Sequence, residues 1–206
     1  MSNYCIYGAS GHSKVIIEII EKSGDVVLAL YDDDKQKNLL LNYKVSSEKS
    51  VFHLLDVQWI MAIGDNRIRK KIVENNSLNY GQAIDKSCLI SKRTEIGKGT
   101  VIMPGATINS STFIGNHAII NTNASIDHDC NVADFVHVSP NATLCGGIFV
   151  GEGTHIGAGS VLIPGIKIGK WVTIGAGCVI IKDVPDFATI VGNPGKIIKF
   201  KDFGEA

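Results

Sequence analysis

The second half of the chain repeats one aliphatic position every six residues. Counting from Ile84 in steps of six, seventeen consecutive positions carry Ile, Val or Leu, and the series ends at Ile180. Four residues after most of these positions stands a small or β-branched residue, such as Thr100, Ala124 or Cys178. A short period sustained over this length predicts a β-solenoid, in which one aliphatic side chain per hexad enters a shared core and successive coils stack.

The first eighty residues follow a different pattern, in which short apolar runs alternate with helical periodicity. The predicted elements are, in chain order, 3–8 (strand), 13–24 (helix), 26–31 (strand), 59–64 (strand) and 66–76 (helix). A strand, helix, strand order predicts a parallel sheet with a crossover helix. We therefore predict a Rossmann-like α/β domain at 1–80 and an all-β solenoid domain with a C-terminal tail at 81–206.

Composition and charge exclude several classes of protein. Twenty basic and twenty acidic residues cancel, and no cluster of Lys and Arg is interleaved with aromatic residues, so no nucleic-acid partner is expected. No segment resembles a secretory signal or is apolar for long enough to cross a bilayer, which predicts a cytoplasmic protein without a membrane span. The five cysteines include no C-x-x-C pair, which predicts buried thiols and no structural zinc.

Two carboxylates flank one histidine at the end of an uncharged stretch. No Asp, Glu, Lys or Arg occurs from 99 to 126, and Asp127, His128 and Asp129 follow directly. An imidazole serves as a general base near neutral pH when a carboxylate holds its other ring nitrogen. We identify His128 as a candidate base with Asp129 or Asp127 as its orienting group. The alternative is a solvated polar corner without a chemical role.

A coil of three hexads would place residues eighteen apart on top of each other, at a spacing of about 4.8 Å. Gly146 then lies one coil beyond His128. Glycine lets a ligand approach the backbone closely, and a free N–H there could donate to a developing oxyanion. The same spacing stacks His137 on His155.

The N-terminal half contains a candidate nucleotide site. Gly8 to Gly11 form a glycine loop between a strand and a helix, where free N–H groups and the helix dipole favour phosphate. Asp32 and Asp33 follow the second strand, where an acid can bind a ribose or base in a Rossmann-like unit. The loop lacks the full G-x-G-x-x-G, so NAD binding is only weakly indicated. A tight turn that merely needs glycine is the alternative.

The segment GDNRIRKKI has two parts with different expectations. Gly64 and Asn66 follow the third predicted strand, at the edge of the sheet where nucleotides bind. The basic run Arg67 to Lys71 predicts a solvated helix face.

Hexads such as IGNHAI and IGAGSV resemble the hexapeptide-repeat acyltransferases, and this resemblance implies a left-handed parallel β-helix that works as a homotrimer with active sites between subunits. Over nearly its full length the chain resembles the sugar acetyltransferases of the PglD and NeuD types. The motifs that carry this resemblance are YGASGH, AIGDNRIRKKI, IIN followed by IDHD, HVSPNATLCGG and VGNPGKII. It implies an acetyl-CoA-dependent N-acetyltransferase acting on a nucleotide-linked, UDP-type 4-amino-4,6-dideoxy sugar for surface glycan or glycoprotein biosynthesis.

The resemblance also implies roles for individual residues. His128 becomes the general base and Asp129 its partner, where relatives carry Glu, and Asn121 and His137 are expected nearby. Neither a metal nor a covalent acyl-enzyme is needed. The implied acetyl-CoA contacts are His137, Gly146, Ala158 and Ala176. The implied nucleotide-sugar contacts are Gly8, Ser10, Gly11, His12, Asp32, Asp33, Gly64, Asn66 and Asn121.

Three alternatives remain open from the sequence. An O-acetyltransferase of the sialic-acid type would share the same fold and base. A zinc-dependent β-helix protein resembling the γ-class carbonic anhydrases would use stacked histidines such as His137 and His155, although the His-x-x-x-x-His pair of those enzymes is absent. A non-catalytic trimeric scaffold would not depend on His128.

Overall fold

The computed structural model describes residues 1–201 and shows an N-terminal α/β lobe joined to a three-sided parallel β-helix. Both predicted fold classes are confirmed. The last helix of the lobe ends at Glu74 and the first strand of the β-helix begins at Ala83, and we propose residue 80 as the boundary between the two domains. Within residues 1–201, no helix is both long and apolar enough to cross a membrane.

The elements of the lobe are β1 (Asn3–Tyr7), α1 (Gly11–Ser23), β2 (Val26–Tyr31), β3 (Leu39–Leu40), β4 (Tyr43–Ser46), a 3-10 helix (Lys49–His53), β5 (Gln58–Met61) and α2 (Asn66–Glu74). The lobe is built on a five-stranded sheet in the order β3-β4-β2-β1-β5, parallel except for the β3–β4 hairpin. The five predicted elements are present, and the hairpin was not predicted because its strands are short and only partly buried.

The C-terminal end of α1 and the N-terminal end of α2 each have a residue suited to capping that end. Gly24 follows α1 with φ 81°, a left-handed conformation that favours glycine, and its N–H donates to the Glu21 carbonyl. Asp65 precedes α2, and its carboxylate accepts hydrogen bonds from the N–H groups of Arg67 and Ile68. These caps fix where the chain leaves the sheet, and they set the position of the loop that follows β5.

The β-helix consists of seventeen two-residue strands followed by a closing hairpin. Each predicted aliphatic position is the second residue of one of these strands. Strands β6 to β22 are Ala83–Ile84, Leu89–Ile90, Glu95–Ile96, Val101–Ile102, Thr107–Ile108, Phe113–Ile114, Ile119–Ile120, Ser125–Ile126, Asn131–Val132, His137–Val138, Thr143–Leu144, Phe149–Val150, His155–Ile156, Val161–Leu162, Lys167–Ile168, Thr173–Ile174 and Val179–Ile180. The hairpin is β23 (Ala188–Val191) with β24 (Lys196–Phe200).

Strands pair in register at a separation of eighteen residues, as Ile108 with Ile126 and Ile126 with Leu144. The aliphatic residues from the second coil onwards are almost completely buried and form one continuous core. The small column packs into the same core, which buries Cys130 and Cys178 and leaves both thiols free. Cys88, four residues after Ile84, is partly buried against the same core, so the period accounts for three of the five cysteines.

The turns between the strands stack into three corners that join the three sheets, and we name them the base corner, the lobe corner and the third corner. The base corner comprises 109–112, 127–130, 145–148 and 163–166. The lobe corner comprises 115–118, 133–136, 151–154 and 169–172. The third corner comprises 121–124, 139–142, 157–160 and 175–178.

The lobe sits on one side of the β-helix. We name the sheet β6-β9-β12-β15-β18-β21, extended by β23 and β24, the lobe-facing sheet. Its outward residues Ala83 and Val101 share a core with Ile16 and Ile19 of α1. The base corner joins the other two sheets, so in the triangular cross-section it lies opposite the sheet that carries the lobe.

Candidate active site

The base corner holds His128 in one orientation. The Nδ1 atom of its ring lies 2.7 Å from Oδ2 of Asp129. Asp129 has φ 58°, and this left-handed turn conformation brings its carboxylate beside the preceding side chain. Both side chains are exposed. The hydrogen bond to Asp129, reinforced by the nearby charge of Asp127, raises the pKa of His128 above its usual value.

Asp127 holds the backbone of the same turn. Its Oδ1 atom accepts the His128 N–H at 2.8 Å and the side-chain amide of Asn109, one coil away, at 2.8 Å. These hydrogen bonds, with the one from Asn109 first, lower the pKa of the Asp127 carboxyl. Of the two candidate orienting acids, only Asp129 contacts the imidazole.

Gly146 faces the imidazole from the next coil, as the eighteen-residue period predicts. A Cβ atom at Gly146 would lie 2.7 Å from Cε1 and 2.8 Å from Nε2 of His128, so only glycine leaves the ring its place. Among the hydrogen bonds of residues 1–201, none has the Gly146 N–H as its donor. A proton acceptor and an unused backbone donor therefore lie side by side at the base corner.

A separate cleft of about 460 Å³ lies between the lobe and the β-helix. The loop after β5 and the start of α2 form one wall. The lobe-facing sheet, the lobe corner and Lys201 form the other. The lining residues are Gly64, Asp65, Asn66, Arg67, His137, Gly153, His155, Trp171, Thr173 and Lys201.

Two stacked histidines form part of the cleft wall. The rings of His137 and His155 are 4.8 Å apart and nearly parallel. Nε2 of His137 lies 3.1 Å from the Asn121 amide nitrogen, and Nε2 of His155 lies 2.8 Å from the Ser139 hydroxyl. Burial, followed by the neighbouring His155, lowers the pKa of His137 to about 3, so this ring is neutral. In the part of the chain that the structure describes, no three His, Cys, Asp or Glu residues are grouped to hold a metal.

The glycine loop after β1 meets the neighbouring strand closely. Gly8 has φ 106°, and a Cβ atom there would lie 2.8 Å from the Ala62 carbonyl oxygen. The turn itself therefore requires this glycine. Ser10 precedes α1 and its N–H donates to the Ser13 hydroxyl at 3.2 Å, while Gly11 is exposed at the first helical position.

His12 lies in the first turn of α1. Its Nε2 atom is buried and has no hydrogen-bond partner among the described residues. Burial, followed by the charge of Arg69, lowers the pKa of His12 to about 4. A neutral imidazole with an unused nitrogen is thus held next to the glycine loop.

The two candidate aspartates are already engaged within the lobe. Asp32 accepts the Ala9 N–H at 2.7 Å and the Lys37 ammonium at 2.8 Å. The carboxylate of Asp33 accepts hydrogen bonds from the hydroxyls of Tyr7 and Tyr31, at 2.6 and 2.9 Å. Asp32 thereby ties the glycine loop to the end of β2, and Asp33 anchors an aromatic cluster.

One chain does not bring all the predicted contacts together. His128, Asp129 and Gly146 lie at the base corner, whereas Asn121 and the exposed Ala158 and Ala176 lie at the third corner. His137 points outwards from the lobe-facing sheet, across the cross-section from His128. The sequence expectation that Asn121 and His137 lie near His128 is therefore not met within a single chain.

The structure also corrects one expectation and adds residues that sequence reasoning missed. The basic run was predicted to be solvated, but Arg69 is 1% exposed. The amide of Asn66 lines the cleft but donates to the carbonyl oxygens of Gly153 and Thr154, at 3.0 and 3.3 Å. Trp171 and Lys201 line the cleft without any local motif; the eighteen-residue spacing from Gly153 is the one sequence signal for Trp171.

Two family models match, one within each half of the chain. Residues 3–76 match the PglD N-terminal domain, and residues 147–182 match the bacterial transferase hexapeptide model of six repeats. UDP-N-acetylbacillosamine N-acetyltransferase from Bacillus subtilis is 42% identical over 112 residues, which cover 50% of this chain and 52% of that protein. The matched segment thus spans about half the length of that curated relative.

Two solved structures match the chain over almost its full length. A histidine-to-asparagine variant of perosamine N-acetyltransferase from Caulobacter crescentus, in complex with CoA and GDP-perosamine, is 33% identical with a TM-score of 0.89, covering 97% of this chain and 98% of that one. The acetyltransferase domain of PglB from Neisseria gonorrhoeae is 32% identical with a TM-score of 0.89, covering 96% and 100%. A second structure of that domain contains acetyl coenzyme A. With matching architecture and this identity over nearly all of its length, the chain belongs to the hexapeptide-repeat sugar acetyltransferases of the PglD type.

Proposed function

We propose that the chain transfers the acetyl group of acetyl-CoA to the amine of a nucleotide-linked 4-amino-4,6-dideoxy sugar, with UDP as the nucleotide. The observation that carries the proposal is the imidazole of His128, hydrogen-bonded to Asp129 through Nδ1 and packed against Gly146, whose N–H donates no hydrogen bond within residues 1–201. The curated relative acts on a UDP-linked substrate and a solved relative holds a GDP-linked one, so relatives support the class of substrate.

The arrangement supports direct transfer without a covalent enzyme intermediate. The sugar amine attacks the thioester carbonyl carbon while Nε2 of His128 accepts the proton that the amine loses. The Gly146 N–H donates to the oxyanion of the tetrahedral intermediate. As the intermediate collapses, the C–S bond breaks, an amide remains on the sugar, and the proton held by His128 passes to the CoA thiolate.

We further propose that the chain works as a homotrimer with active sites between subunits. Within one chain, the base corner and the cleft lie on opposite sides of the β-helix. The base corner is exposed to water, and acyl transfer benefits when a second surface covers the reacting groups. A neighbouring copy that presents its cleft to His128 would supply that surface and complete the site.

The direct test is the release of CoA thiol when the purified chain meets acetyl-CoA and an amino-sugar nucleotide. We expect turnover with a UDP-4-amino-4,6-dideoxy sugar, and at least tenfold lower kcat/KM with the GDP- and dTDP-linked analogues. Preference for a GDP- or dTDP-linked sugar would contradict the choice of nucleotide. Turnover with sialic acid alone would favour O-acetylation and reject the proposed substrate class.

The pH dependence should report the hydrogen bond between His128 and Asp129. A base must be unprotonated, so kcat/KM is expected to fall as the pH drops through the raised pKa of His128. In Asp129→Asn the anionic partner is lost, so the pKa falls and the acidic limb should move to lower pH, together with a lower maximal rate. An unchanged acidic limb in the variant would show that Asp129 does not act on the base.

A further inference from the structure

We propose that Arg69 is a positioning residue that holds the nucleotide-sugar wall of the cleft against the β-helix. The inference rests on the proposed function for its substrate and on the contacts of Arg69 for its geometry. Its guanidinium does not line the cleft, and from the sequence it belongs to a basic run predicted to be solvated. It acts through the loop 63–66, which carries Gly64 and Asn66.

Each of the five N–H donors of the Arg69 guanidinium has an oxygen acceptor. Nε donates to the His117 carbonyl at 2.9 Å, and one terminal nitrogen donates to the Ile63 carbonyl at 2.8 Å and the Gly64 carbonyl at 3.4 Å. The other terminal nitrogen donates to Asn66 Oδ1 at 2.8 Å, and to the Phe135 carbonyl at 2.9 Å. One side chain thereby joins the loop after β5 to two coils of the β-helix.

The spacing of α2 matches the spacing of the coils. One residue per coil at the lobe corner has a left-handed conformation, and these residues are His117, Phe135, Gly153 and Trp171. The backbone carbonyls of the first three accept hydrogen bonds from the side chains of Arg69 and Asn66. The carbonyl of Trp171 accepts one from Lys201 Nζ at 3.2 Å. Asn66 and Arg69 are three residues apart, a rise of about 4.5 Å, close to the coil spacing of about 4.8 Å.

These hydrogen bonds set the distance between the two walls of the cleft. Gly64 and Asn66 line the lobe side, and their carbonyl and amide oxygens are held by Arg69. Gly153, one coil above Phe135, lines the opposite side and accepts from Asn66. Burial lowers the pKa of Arg69 to about 9, so the guanidinium stays charged at neutral pH.

Lysine cannot replace this arrangement, because an ammonium has three donors and no planar fork. Arg69→Lys would leave buried carbonyls of the loop or the lobe corner without a partner. We expect faster backbone hydrogen exchange in residues 62–67 of the variant. We also expect the KM for the nucleotide sugar to rise about tenfold while the KM for acetyl-CoA changes less than about twofold.

The experiment compares wild type, Arg69→Lys and Lys71→Met by hydrogen exchange and by steady-state kinetics. Lys71 is exposed on the same helix, so its variant removes a charge from α2 without touching the cleft and should behave as wild type. Unchanged exchange at 62–67 in Arg69→Lys would overturn the proposal. Faster exchange with both KM values unchanged would also overturn it, since Arg69 would then serve stability alone.

Two further outcomes stay decisive. If wild type turns over no nucleotide-linked amino sugar, the proposed function fails, and the exchange data alone decide whether Arg69 holds the loop. If Arg69→Lys does not fold, the exchange rate of the Arg69 Nε–H is measured instead in wild type labelled at its three arginines. A slowly exchanging Nε–H of Arg69 is expected, and a rapidly exchanging one would overturn the proposal.

Discussion

His128→Ala is expected to lower kcat by about 10²–10⁴-fold, the usual contribution of a general base. The imidazole is the acceptor for the proton that the sugar amine loses, and no other side chain at the base corner faces Gly146 in the same way. The ring is exposed and its hydrogen bonds are confined to its own turn, so the variant should fold normally. Thiol release from acetyl-CoA measures kcat, and thermal unfolding checks the fold.

Ser110→Ala is the matched control for this prediction. Ser110 lies one coil before His128 at the same corner, and within residues 1–201 its exposed hydroxyl has one hydrogen-bond contact, the neighbouring Ser111 hydroxyl at 3.5 Å. The control should retain wild-type turnover and stability. Equal turnover in His128→Ala and wild type would remove His128 from the mechanism and leave the base corner as a solvated turn.

The β-helix follows from the sequence because its core is periodic. Each aliphatic residue of the series enters the interior at a fixed step, so the pattern predicts the strands, the eighteen-residue coil and the burial of Cys130 and Cys178. The lobe can be predicted from the sequence less completely. Its buried strands are apolar runs, whereas the β3–β4 hairpin has two short, only partly buried strands and so has no clear pattern.

The base corner follows from the sequence for the same reason. His128 and Asp129 are adjacent in the chain, so their hydrogen bond is a local property of one turn. Gly146 is eighteen residues away, which a regular coil converts into direct contact. Local sequence and one period are therefore sufficient to place the three groups together.

The cleft could not be predicted in this way, because its walls are distant in the sequence. Arg69 contacts the carbonyls of His117 and Phe135, and a backbone carbonyl leaves no signal in residue type. A basic run on a short helix normally predicts a solvated face, and only the docking of α2 on the lobe corner buries this arginine. The sequence also does not show how Asp33 is engaged, because its carboxylate accepts hydrogen bonds from the hydroxyls of Tyr7 and Tyr31 inside the lobe.

Mixed trimers of two inactive variants are expected to recover about a third of wild-type activity if each site joins the base of one subunit to the cleft of its neighbour. His128→Ala removes the base. Gly64→Leu fills the cleft, because a Cβ atom at Gly64 meets nothing within 4 Å and the backbone there is not left-handed. In a ring that contains both variants, one interface of the three pairs an intact base with an intact cleft.

Co-expression with two different affinity tags and purification through both selects the mixed trimers, and thiol release measures their turnover. The control pairs His128→Ala with a chain carrying both His128→Ala and Gly64→Leu, and it should stay inactive because no base remains. Recovery requires that the groups meet across a subunit boundary, which the separation of the base corner from the cleft predicts. Dual-tag complexes without activity would show that the site lies within one chain, and failure to obtain such complexes would contradict the assembly itself.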